Sequence, residues 1–294
     1  MLKIIVLFIF SFFIYTKNNA QIKNNCDSTA FFEAINLSQN GLVDKAIEKY
    51  DEQIKLCPNF PEAYINRGVC YFRIKQQQQC IKDFQAAINI SNDKVTTLQQ
   101  IAGFYFAIKR YDTAFLIYKN ILSFDKNNAT AYYKMGRCKW LERIRILQKN
   151  NVEDYAEDTT FKNHLKDEIL NYYNKAIYID SLKNDYLYKT RNALEAMQDM
   201  NTNYEFYYDR ALFKSNFYDY SGSLSDYEKS IQIHPTISAY EYAAYLAKKV
   251  GQNKKACEYI QTWATMLSPN ENTNPFKKHE IADRFCKELN VEIK

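Results

Sequence analysis

Between Pro61 and Lys94 the apolar and small residues fall into two short helical series. Tyr64, Gly68 and Tyr71 form one, and Cys80, Phe84 and Ala87 form the other, each spaced by three or four residues, with a polar break at Gln76 to Gln79 between them. The pattern predicts a hairpin of two antiparallel helices. Gly68 and Cys80 are small where the helices must approach closely, while Tyr64, Tyr71 and Phe84 are bulky enough to fill the wedge between this pair and its neighbours. One such hairpin cannot bury both faces, so it implies copies. Copies recur at a constant offset of 34 residues: Ala34, Gly68, Ala102 and Gly136 align, as do Ala46, Cys80 and Ala114, and Tyr50, Phe84 and Tyr118.

Laid along the chain, this register predicts repeats over 27–60, 61–94 and 95–128, with Asn40-Gly41 as the first turn and Pro58 as the residue that ends the first repeat. A fourth begins in register with Ala129, Tyr132 and Gly136. Its second helix, marked by Tyr173, Ala176 and Ile177, arrives late, so the repeat spans 129–183 with an insert over 146–166. The start of the insert, Arg143 to Asn150, is expected to prolong the first helix. A lone helix is expected over 184–200, further repeats over 204–236 and 237–270, and a charged capping helix over 275–290.

The period, the small residues at helix crossings and the aromatic on each second helix resemble the tetratricopeptide repeat (TPR). The resemblance covers most of the chain after its first two dozen residues. It implies an all-α fold, a right-handed TPR α-solenoid of antiparallel helix pairs, irregular in the middle. It also implies a concave groove lined by the first helix of each repeat. There the groove-facing residues would be Phe31, Ile35, Ile65, Val69, Phe72, Arg73, Gln99, Phe106, Tyr133, Arg137 and Trp140. TPR domains that grip the carboxylate tail of cytosolic chaperones use Lys, Asn and Arg on this groove. Asn66 stands at a matching place, but Phe31 and Ile35 replace the first Lys and Asn, and Thr96 and Gln100 replace later cations. That chaperone role is therefore not expected.

The first residues are a separate element. A positive start at Lys3, an apolar run from Ile4 to Tyr15 and the small Ala20 before Gln21 have the layout of a cleavable secretory signal over 1–20. This run of twelve residues, broken only by Ser11, falls short of the roughly 17 to 25 that span a bilayer. An uncleaved anchor is the alternative reading. The expected locale is the periplasm, the cell envelope or the medium; no stable membrane span is expected in the mature chain, whose repeats occupy 27–294.

Export changes the reading of charge and of thiols. Removing Lys3 and Lys17 leaves 37 basic against 34 acidic residues, a net charge of +3, too small to nominate nucleic acid as a partner. All seven cysteines remain in the mature chain and would meet an oxidising compartment. Antiparallel neighbours in the repeat scheme bring Cys26 near Cys57 and Cys257 near Cys286. Cys70 and Cys80 flank one turn, and Cys138 is left as the odd thiol. The alternative is that several are simply small buried residues, as the alignment of Cys80 with Ala46 and Ala114 indicates.

No catalytic constellation is present in the sequence. His164, His234 and His279 are scattered, and no zinc-protease, paired-cysteine, nucleophile-elbow or phosphate-loop motif occurs among only six glycines. Glu153, Asp154, Glu157 and Asp158 lack the glycine turn of a hard-cation loop. No cofactor and no metal are expected. The reading is an exported scaffold or adaptor that binds a protein or peptide and catalyses nothing. A structural subunit of a cell-envelope assembly is the alternative, and an envelope enzyme with a cryptic site ranks last.

Overall fold

The computed structural model describes residues 27–150, 165–190, 203–266 and 275–291, and these are helical with short connections. The helices are α1 (Thr29–Gln39), α2 (Val43–Leu56), α3 (Pro61–Arg73), α4 (Gln77–Ile90), α5 (Lys94–Ala107), α6 (Tyr111–Phe124), α7 (Ala129–Lys149), α8 (Lys166–Thr190), α9 (Tyr204–Ser215), α10 (Tyr220–Ile233), α11 (Ile237–Lys249), α12 (Asn253–Met266) and α13 (Pro275–Glu288). Among the described residues there is no strand. The chain is an all-α helical repeat protein.

Local chemistry explains where the helices start and turn. Pro61 opens α3 at a position whose N–H has no intrahelical partner, so nothing is lost there. Asp93, Asp219 and Thr236 cap α5, α10 and α11, each side chain accepting from a backbone N–H three residues on. Inside each hairpin the turn is the same. Leu42 N–H donates to the Leu37 carbonyl at 2.9 Å, Gln76 to Tyr71 at 2.8 Å, Arg110 to Tyr105 at 2.9 Å and Gln252 to Ala247 at 2.8 Å. The residue just before each donor takes positive φ: Gly41 at 82°, Lys75 at 65°, Lys109 at 61° and Gly251 at 77°. This is the left-handed helix stop that closes a Schellman turn.

Within each hairpin, α1 packs on α2, α3 on α4, α5 on α6, α9 on α10 and α11 on α12. Gly68 marks a close crossing: a Cβ there would meet the Phe84 ring at 2.9 Å and the Cys80 carbonyl at 3.2 Å. The chain divides into two compact units, one ending at Glu142 and the other starting at Arg143. In the first, Phe31, Ala34, Ala46, Tyr50 and Ala63 form one core cluster, and Ile65, Val69, Cys80, Phe84, Ile101 and Phe104 the next. In the second, Ala211, Tyr227, Ala243, Leu246 and Ala256 form the main core, and Ala244, Ile260, Ala264 and Ala282 extend it to α13.

A polar network that periodicity does not reveal ties consecutive helices together in both units. Arg67 on α3 donates to both Asp83 oxygens on α4, at 2.9 and 2.6 Å, and to Asp51 on α2 at 2.5 Å. Arg210 on α9 repeats it, forking to Asp226 on α10 at 2.8 and 2.5 Å and donating to Asn174 on α8 at 2.7 Å. Lys214 adds a second cation to Asp226 at 2.9 Å. Burial pushes the Asp83 carboxyl up, and the Arg67 guanidinium opposes that rise. The shared network shows that α8, α9 and α10 reproduce α2, α3 and α4.

The irregular middle differs in detail from the periodic reading. Helix α7 continues to Lys149, and most of the expected insert lies outside the described residues. Helix α8 carries Tyr173, Ala176 and Ile177 and runs on without a break to Thr190, so the start expected for a lone helix at residue 184 falls inside it. Residues 191–200 and the signal segment lie outside the described residues.

Cys257 on α12 and Cys286 on α13 are joined by a disulfide with Cα atoms 5.1 Å apart. Cys57 is also disulfide-bonded, and Cys26, its expected partner, lies outside the described residues. Cys70, Cys80 and Cys138 are free and buried.

Candidate functional site

The first helices α1, α3, α5 and the start of α7 carry the eleven residues assigned to a groove, and the structure sorts them into two sets. Phe31, Ile65, Val69, Tyr133 and Trp140 are buried. Phe31 is 2% exposed, lies edge-on to Tyr50 and Phe60 with ring centres 5.9 and 4.8 Å away, and its N–H donates to Gln53 at 3.1 Å. Ile65 and Val69 pack with Phe84 and Phe104 between hairpins. These five are packed between helices and expose little surface, because a first helix faces its neighbours as well as solvent.

Ile35, Phe72, Gln99, Phe106 and Arg137 are half-buried, and Arg73 is exposed. They make two aromatic and cationic positions 34 residues apart. At the first, Phe72 stands edge-on to Phe104 at 5.2 Å. Beside it, one Arg73 nitrogen donates to the Ser38 carbonyl at 2.8 Å and to its hydroxyl at 2.9 Å. That anchoring uses Nη1 alone, so Nε and Nη2 keep donors to offer. At the second position Phe106 lies under Arg137 and Lys134, whose charged groups are 5.2 and 5.9 Å from the ring centre. The ring's negative face favours both cations there.

Two buried polar groups on the same first helices escaped the list of eleven. Asn66 is buried, and its amide nitrogen has no hydrogen-bond partner. It faces the Tyr50 hydroxyl without closing a well-aligned bond. Burial pushes that phenol well above its ordinary range. Ser38, also buried, holds Arg73 and accepts from the Cys70 thiol at 3.5 Å. Asn66 had a signal in its match to the chaperone-binding pattern. Ser38 had none, since a lone serine late in a helix is ordinary.

The thiols offer no chemistry. Burial pushes Cys80 and Cys138 up to about 12, and Cys70 up as well, so all three stay protonated near neutral pH. Among the described residues no group of three His, Cys, Asp or Glu side chains is placed to hold a metal ion, and no helix is long and apolar enough to cross a membrane.

Residues 36–75, which run from α1 through α3, match the family profile for the TPR repeat. That stretch is similar to a TPR repeat. Hsp70-Hsp90 organizing protein 2 of Arabidopsis thaliana is 30% identical over 113 residues, 38% of this chain and 19% of that one. Small glutamine-rich tetratricopeptide repeat-containing protein 2 of Saccharomyces cerevisiae is 30% identical over 108 residues, covering 37% of this chain and 31% of its own. The match therefore spans less than a third of either relative. Among solved structures, that of Pseudomonas aeruginosa pilF is similar at a TM-score of 0.49 and 11% identity, over 87% of this chain and 96% of that chain.

Proposed function

We propose that this chain is an exported TPR scaffold that binds an extended segment of another protein across the first helices of its N-terminal unit and carries out no reaction of its own. The observation that carries the reading is Arg73: an exposed guanidinium held by Ser38 through one nitrogen, next to the half-buried Phe72. An apolar ring beside an oriented cation suits an anchor side chain flanked by peptide carbonyls or a carboxylate. The relatives' names associate TPR chains with chaperone organisation, which is consistent with protein binding as a class.

The disulfide between Cys257 and Cys286 and the bonded Cys57 support export, because cytosolic thiol buffers oppose stable disulfides. Intact mass of the mature protein checks this. A chain found only in the cytosol, with its thiols reduced, overturns it.

Recovery of partners from an envelope extract by wild type and by a Phe72→Ala, Arg73→Ala variant tests the groove. Both side chains lie at the surface or half-buried, so circular dichroism of the variant should match wild type while the bound partner is lost. Equal recovery refutes the groove. The structural-subunit reading keeps one specific support: Leu56, Ile81, Leu116 and Phe124, on the second helices α2, α4 and α6, are exposed. It predicts a stable envelope complex that tolerates the Phe72 and Arg73 changes.

A further inference from the structure

Arg67, Arg210 and Arg73 are anchored alike, each through Nη1 to an earlier helix. Arg67 on α3 donates from Nη1 to Asp51 on α2 at 2.5 Å, and Arg210 on α9 donates from Nη1 to Asn174 on α8 at 2.7 Å. Arg73 on α3 donates from Nη1 to the Ser38 carbonyl and hydroxyl on α1, at 2.8 and 2.9 Å. A guanidinium held this way presents its remaining edge, Nε with Nη2, as two parallel N–H donors. In Arg67 that edge forks to both oxygens of Asp83, at 2.9 and 2.6 Å. In Arg210 it forks to both oxygens of Asp226, at 2.8 and 2.5 Å. In Arg73 no group among the described residues meets the edge, and the side chain is exposed.

The anchor of Arg73 is itself built into the core. Ser38 is 1% exposed, and its hydroxyl also accepts from the buried Cys70 thiol at 3.5 Å. Two acceptors on one buried residue fix where Nη1 sits, so the open edge is aimed before anything binds, and less ordering cost falls on the complex.

We infer that the Nε and Nη2 edge of Arg73 takes the carboxylate of an aspartate or glutamate side chain within the partner's segment. This rests on the groove reading above and names the chemistry bound there. A peptide carbonyl brings one oxygen and no charge to two donors, whereas a carboxylate brings two oxygens and the opposite charge. Both filled copies of the fork hold an aspartate side chain, so the partner's acid would stand to Arg73 as Asp83 stands to Arg67. A phosphate dianion would leave negative charge that one guanidinium does not balance.

The test is selection on the full chain from two random peptide libraries, one displayed inside a carrier loop and one ending in a free carboxylate. Wild type should enrich loop peptides that share Asp or Glu at one position. Arg73→Lys keeps the charge but lacks the planar fork, so it should not enrich that position. For one selected peptide made with capped ends, binding should weaken about fivefold when its acid is replaced by the matching amide, and about fivefold with Arg73→Lys. The two changes together should cost no more than either alone. Arg73 is exposed, so the variant should melt with wild type. Peptides without a shared acid, an acid enriched equally by Arg73→Lys, additive losses, or enrichment confined to the free-ended library overturn the fork and leave the groove standing. No enrichment from either library overturns both.

Discussion

Lys75 and Lys109 stand in the left-handed backbone region that Gly41 occupies in the first hairpin. A side chain there strains against its own backbone by about 1 to 2 kcal/mol. Lys75→Gly and Lys109→Gly should therefore each stabilise the protein by about 1 kcal/mol, read as a higher urea midpoint at unchanged slope. Gly68→Ala should act in the opposite sense, costing about 1 to 3 kcal/mol, because the new methyl group must displace the Phe84 ring or the Cys80 carbonyl. Asp93 gives a pH signature. Hydrogen bonds from the Thr96 side chain and backbone hold its carboxyl below the ordinary 3.8. A depressed folded-state value means the contribution is present above that ordinary value and is lost as pH falls through the folded one. Asp93→Asn cannot titrate, so the stability gap between it and wild type should close on acidification below about 4. The groove list shows how far single residues were legible. Spacing placed Phe31 and Tyr133 on the right helices, but depth depends on how the next hairpin leans against them, which one helix's period does not encode.

At the level of helices, the turn chemistry and the 34-residue register made the first three hairpins readable, because the same bonds recur at the same offsets. Helix α8 was harder. Its apolar spacing past residue 180 is consistent either with one long helix or with two, and no glycine or proline lies between Lys166 and Thr190 to stop it. The Arg67 and Arg210 networks were invisible to hydrophobic pattern, although both pairs share a separation of 16 residues. Each joins helices that apolar packing alone would let slide. Arg67→Ala leaves Asp83 buried without its cation and should cost about 3 kcal/mol. Adding Asp83→Ala should recover part of that loss. A double-mutant cycle in urea checks the coupling, and strictly additive losses would show that the network contributes nothing of its own.

For the whole molecule, two compact units carrying the same Arg-centred network mean that one structural plan is used on both sides of Glu142 and Arg143. The C-terminal unit ends differently, because α13 docks as a single helix and covers the last hairpin. Its attachment combines Ala282 and Cys286 in the core with the Asn253 amide donating to the Leu289 carbonyl at 3.3 Å and a Lys248 to Glu288 ion pair at 3.6 Å. Both polar contacts are weak, and the ion pair is exposed, so the apolar contact and the disulfide hold α13 to α12. It closes a loop across 29 residues, and restricting the unfolded chain by that length is worth about 3 to 4 kcal/mol. A Cys257→Ser, Cys286→Ser variant should lose that amount. Hydrogen exchange should rise first in α13 and the facing turns of α11 and α12, while α1 to α4 keep their protection, since repeat arrays couple nearest neighbours most strongly. Uniform loss of protection through α1 to α4 as well would mean that the chain melts as one cooperative block and that the cap governs more than its own unit.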